Sequence, residues 1–86
     1  MHQFRLYIVG KTKKSVEITD SLKALLKSKL TNSYELVVID LLAHPHKAAV
    51  DDIIVTPTLV RAFPTPIFKI IGDMTDQQEV KRKLNI

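Results

Sequence analysis

Several short stretches hold residue types whose spacing could do chemistry. Gly10-Lys11-Thr12 has the closing residues of a phosphate-binding loop. That loop needs a second glycine where this chain has Arg5, so that successive backbone amides can wrap a phosphate. Arg5 sits inside an alternating strand pattern, so the loop cannot form. The tripeptide reads instead as a glycine at a strand end followed by a basic, exposed loop. His44-Pro45-His46 offers two imidazoles with no third ligand nearby, and reads as a pair of exposed loop histidines rather than a metal site. Asp51 and Asp52 are adjacent and diverge on any helix, which does not suit paired-carboxylate acid–base work. Asp73 and Asp76 read as residues lining the cap of a last helix. Ser15 has no His–Asp pair that the sequence reveals. No catalytic residue, cofactor site or metal site is expected, and the chain reads as a non-enzyme.

Composition narrows the classes further. The chain has 86 residues, 45% of them hydrophobic and 26% charged, which suits one folded domain spanning 1–86. A chain this short has a thin core, so self-association into a dimer or tetramer is expected. Zero cysteines exclude a disulfide framework, a thiolate metal site, a cysteine nucleophile and a dithiol redox centre. No apolar run reaches the roughly 20 residues of a membrane span. Met1-His2-Gln3-Phe4-Arg5 enters a strand pattern at once and lacks a signal-peptide layout, so a cytoplasmic protein is expected. The net charge of +4 is unevenly spread. Residues 1–30 carry +5, residues 31–60 carry −3 and residues 61–86 carry +2. Such asymmetry can guide assembly with an oppositely charged partner. Aromatics are few and the basic residues fall mainly on helix surfaces, so nucleic acid is not the expected partner.

The elements that must position these residues follow from periodicity. Gln3–Val9 alternates, with Phe4, Leu6 and Ile8 on one side and Arg5, Tyr7 and Val9 on the other, which predicts a strand. From Lys14 to Leu30 the period is helical, with Ile18, Leu22, Leu25, Leu26 and Leu30 in one stripe. Glu17 and Asp20 early and Lys27 and Lys29 late suit the helix dipole. Leu36–Ile39 is apolar on both faces, which predicts a central strand parallel to the first. Pro45 opens a short helix toward Asp52. Ile53-Ile54-Val55 suits a strand equally well. Leu59–Phe63 and Ile67–Ile71 read as strands around the bend Pro64-Thr65-Pro66. Thr75 with Gln78 reads as the capping box of a last helix carrying Val80 and Leu84 on one face.

The resulting order, βαβαββα, is that of a thioredoxin-like α/β domain. In such domains a Thr-Pro or similar dipeptide opens the third strand with a cis peptide bond and faces the loop after the first strand. Thr56-Pro57-Thr58 and the loop Gly10–Ser15 fill those places, without the sulfurs of the redox members. A plain strand-entry turn is the other reading of Thr56-Pro57-Thr58. Residues 50–66 carry conflicting local signals, which two competing packings would also produce.

These residues together resemble the KaiB family. The resemblance runs from about Phe4 to Leu84. It rests on Leu6-Tyr7-Ile8-Val9-Gly10, Thr12, Ser15, Val38-Ile39-Asp40-Leu41-Leu42, Pro45, Asp51, Ile53, Thr56-Pro57-Thr58-Leu59, Pro64-x-Pro66 and Ile70-Ile71-Gly72-Asp73. It implies a non-enzymatic regulator that binds the N-terminal ATPase ring of a KaiC-type ATPase and autokinase. It also implies a second half able to adopt either the thioredoxin-like arrangement, which binds the ring, or a KaiB ground-state arrangement that forms dimers and tetramers. Thr56, Pro57, Arg61, Gly72 and Asp73 are the implied partner-binding residues, and Pro57, Pro64, Pro66 and Lys83 mark the switching region. Clock members have a third proline at Thr65, a basic residue at Asp52, a glycine at Lys83 and an acidic tail beyond Ile86. These departures point to a homologue serving stress adaptation. The alternatives are a sensor module of the SasA type, expected on a longer kinase chain than Met1–Ile86, and a cysteine-free thioredoxin-like enzyme using Ser15 or a bound thiol cofactor.

Overall fold

A computed structural model describes all 86 residues. The order is β1 (His2–Ile8), α1 (Lys13–Leu30), β2 (Tyr34–Asp40), a 3-10 turn (Pro45–Ala49), β3 (Thr58–Phe63), β4 (Phe68–Ile71) and α2 (Gln77–Leu84). One four-stranded sheet runs in the order β2-β1-β3-β4. β1 and β2 are parallel, with Leu6 opposite Val38, while β3 is antiparallel to both β1 and β4. This is the thioredoxin-like arrangement that the element order predicts.

β1 forms because its alternation satisfies two unlike faces. Phe4, Leu6 and Ile8 join Leu59 and Ile70 against Ile18, Leu22, Leu25 and Leu26 of α1 and Val80 and Leu84 of α2. Tyr7 lies on the other face with Ile39 and Val60, in a small second core covered by Leu41 and Ile53. The helices therefore cover one side of the sheet, and the segment between β2 and β3 covers the other. α1 starts where the Thr12 side chain accepts from the Ser15 amide. Its first turn holds no acidic residue, so Glu17 and Asp20 sit too far along to serve the dipole, whereas Lys27 and Lys29 do occupy the last turn.

Three further expectations are corrected. Leu36–Ile39 belongs to an edge strand, not a central one, and Val37 and Val38 are exposed. An apolar run reports low polarity, and cannot separate burial inside the sheet from an apolar surface at its rim. Ile53-Ile54-Val55 is neither helix nor strand, and Ile54 is 91% exposed. Asp76, not Thr75, caps α2: its carboxylate accepts from the amides of Gln78 and Glu79, while Asp73 accepts from the Thr75 amide.

Candidate functional site

β1, β2 and β4 finish at one end of the sheet, where β3 begins. Chain direction alone therefore gathers Gly10, Leu42, Pro57 and Gly72 there. Thr56-Pro57 is cis, as are Phe63-Pro64 and Thr65-Pro66. Thr56 and Pro57 face the loop after β1 across a hollow of about 100 Å³, lined also by Val9, Thr12, Lys14 and Ser15. The Gly72 amide donates to the Pro57 carbonyl at 3.1 Å, which joins the start of β3 to the end of β4. Lys14 Nζ lies 3.0 Å from the Asp73 carboxylate, an exposed pair that links α1 to the residue after Gly72. Lys14 and the Thr75 hydroxyl and amide hold the Asp73 carboxyl down at about 2.

Two glycines at this end have a physical requirement. Gly10 has φ +74°, and a Cβ there would sit 3.0 Å from Leu42 Cδ1. Gly72 has φ +105°, a conformation that L side chains rarely adopt even where space is open. Asp40 fixes the Gly10 turn, accepting from the amides of Gly10 and Leu42, both at 2.9 Å. Those two bonds hold its carboxyl below the usual range.

The surface at this end sets exposed apolar side chains beside the exposed Lys11, Lys13 and Lys14. Val9, Leu42, Ile54, Val55 and Ile71 are all exposed around Thr56-Pro57 and Gly72-Asp73. The Ser15 hydroxyl lies within donating distance of the carbonyls of Gly10 and Thr12, at 2.8 and 3.0 Å.

Arg61 is not brought to this end. It lies four residues beyond Pro57 along β3, about 13 Å at the usual strand rise. There it stacks over Phe68 at 5.6 Å and donates to the Pro66 carbonyl at 3.2 Å. Lys83 is farther along the chain on α2, paired with Glu79 at 2.9 Å. His44 and His46 are exposed with their rings edge-on at 6.2 Å.

A polar cluster on the other face of the sheet was not legible as a site. Asp51 is buried, and its carboxylate takes Arg5 Nε at 2.7 Å, Arg5 Nη2 at 2.8 Å and the Tyr7 hydroxyl at 2.6 Å. Lys69 donates to the Asp51 carbonyl. The available signal was Arg5 and Tyr7 on one face of β1: a guanidinium and a buried phenol on the same side call for an acid. The partner lies 46 residues away from Arg5, and no local rule names it.

With this geometry in hand, the family model described as the KaiB domain matches residues 5–86. The chain belongs to the KaiB family. The circadian clock oscillator protein KaiB of Gloeothece citriformis is 42% identical over 76 residues, covering 88% of this chain and 72% of that protein. Its namesake from Microcystis aeruginosa is also 42% identical, covering 88% of this chain and 73% of that one. Among solved structures, the N-terminal domain of Synechococcus elongatus SasA matches this KaiB-family chain with a TM-score of 0.77 at 25% identity, covering 98% of this chain and 83% of that one. Mitochondrial thioredoxin 3 of Saccharomyces cerevisiae matches at a TM-score of 0.74 and 15% identity, covering 99% of this chain and 78% of that one. That likeness is one of fold. No helix of this KaiB-family chain is long and apolar enough to cross a membrane.

Proposed function

We propose that this KaiB-family chain is a single-domain, non-enzymatic regulator that docks on the N-terminal ATPase ring of a KaiC-type ATPase, in a clock-like or stress-adaptation system of the cytoplasm. The observation that carries the reading is the combination of KaiB sequence with a SasA-like, thioredoxin-like arrangement. Within that arrangement Thr56, Pro57, Gly72 and Asp73 share one end of the sheet with exposed Val9, Ile54 and Ile71. An apolar rim around fixed polar groups suits protein docking. Ser15 is committed to backbone carbonyls, which supports a non-enzymatic role.

The test mixes the purified chain with its cognate ring ATPase under ATP and under ADP and follows the complex by size-exclusion chromatography with light scattering. A stoichiometric complex at tens of micromolar is expected. Its absence in both nucleotides overturns the reading. Insulin reduction and ATP hydrolysis by the chain alone should stay at background. The same exposed rim supports self-association: light scattering of the chain alone should give a mass well above 9.8 kDa at high concentration, corresponding to a dimer or tetramer.

A further inference from the structure

We propose that Asp51 is a positioning residue that clasps the segment between β2 and β3 to the sheet and thereby sets where Ile53 to Pro57 present the docking rim. The geometry is that of a built clasp. The Asp51 side chain is 6% exposed, and Arg5 grips both of its oxygens from β1 while itself remaining 31% exposed. Tyr7 adds a third bond to the carboxylate from β1, and Lys69 ties the Asp51 backbone carbonyl to β4. One residue of the covering segment is thus tied to an inner strand and to the far edge strand of the sheet.

The other ties are at the ends of the segment: the Leu41 amide donates to the Ile8 carbonyl at 2.8 Å, and the Thr58 hydroxyl donates to the Val55 carbonyl at 2.7 Å. The segment's 3-10 turn contains no buried residue, and Val50, Ile54 and Val55 are exposed. Ile53 is only partly buried against the small second core. Two backbone bonds flank the run that leads into β3: the Ile53 amide donates to Ala48 at 2.8 Å, and the Gly72 amide donates to Pro57 at 3.1 Å. Bidentate, charge-assisted bonds fix direction as well as distance. Removing the carboxylate charge therefore loosens this segment first, while the helix-side core keeps its own contacts.

The experiment is amide hydrogen exchange, read residue by residue, on the free chain. In Asp51→Asn, exchange at the Ile53 and Gly72 amides should speed up by about tenfold or more, from the loss of buried charge-assisted bonds. Amides of β1 and α1 should change by no more than the loss of global stability. Tyr7→Phe removes one of the bonds and keeps the ring, so it should give a smaller effect at the same two amides, and it serves if Asp51→Asn does not fold. Asp52→Asn is the control, since that neighbouring side chain is exposed and makes none of these bonds. Exchange at Ile53 and Gly72 that stays at the parent rate, or that rises less than exchange at the β1 and α1 amides, overturns the proposal. A second readout rests on the ring-docking reading: the Asp51→Asn chain should bind the ring at least several-fold more weakly. If the parent chain binds no ring, that reading fails while the exchange result still decides the clasp.

Discussion

Tyr7 and Asp51 show how one polar contact governs both ends of the pH range. Burial, then the bond to Asp51, pushes the Tyr7 phenol up to about 12 from an ordinary value of 10.0. The fold therefore favours the neutral phenol. Its stabilisation is complete below the unfolded value and is lost as pH rises from about 10 toward about 12. The denaturation midpoint should fall across that window in the parent chain and stay flatter in Tyr7→Phe. At neutral pH, Tyr7→Phe should cost roughly 1–3 kcal/mol, because a buried carboxylate loses a donor. Asp51 acts at the acid end. The bond from Arg5 holds its carboxyl below the usual 3.8, with the bond from Tyr7 adding to this against the opposing effect of burial. Its stabilisation is present above the unfolded value and is lost as pH falls through 3.8 toward the lower folded value. Acid titration of the melting temperature should show a shallower loss in Asp51→Asn than in the parent.

At the scale of elements, α2 is the one whose existence depends most on its surroundings. At 8 residues it is shorter than the roughly 12–15 that an isolated helix needs. Asp76 supplies the cap, Val80 and Leu84 supply the buried contacts, and Gln77 Nε2 donates to the Ser21 carbonyl of α1 at 2.9 Å. Asp76→Ala should cost about 1 kcal/mol and Leu84→Ala about 2–5 kcal/mol in chemical denaturation. The helix could be read in the sequence from Val80 and Leu84, and Asp73 and Asp76 could be read as lining its cap, but the capping residue itself could not. Thr75-x-x-Gln78 and Asp76-x-x-Glu79 both spell a cap, and the choice rests on Asp73, which engages the Thr75 amide in the folded chain. β1 and α1 were legible because their periods are clear, and β3 and β4 because they are short strand-like runs bounded by prolines and Gly72. The edge position of β2 was not, because Leu36–Ile39 carries no period that names its neighbours. Thr56-Pro57 opposite the Gly10–Ser15 loop was legible because the order of elements places it there. Asp51 was hidden because it works through partners on β1 that are remote in sequence.

At the scale of the whole molecule, the two ends of the sheet are different surfaces, and ring docking should distinguish them. One end carries Thr56, Pro57, Gly72 and Asp73 with the exposed apolar rim, and Ile54 is its most protruding side chain. Toward the other end, Arg61 is committed to Phe68 and to the Pro66 carbonyl. If the first end meets the ring, a charge placed at Ile54 must be desolvated without a partner when the complex forms. Ile54→Asp should then weaken ring binding by on the order of 2 kcal/mol or more, roughly thirtyfold in Kd. Its melting temperature should stay close to the parent value, because Ile54 contributes almost nothing to the core. Arg61→Ala should do the reverse, lowering stability through its lost packing on Phe68 while leaving ring affinity within about twofold. Calorimetric titration of both variants into the ring, beside thermal melts of each, measures the two quantities separately. Equal binding by Ile54→Asp and parent, together with loss of binding in Arg61→Ala, would move the docking surface to the opposite end of the sheet.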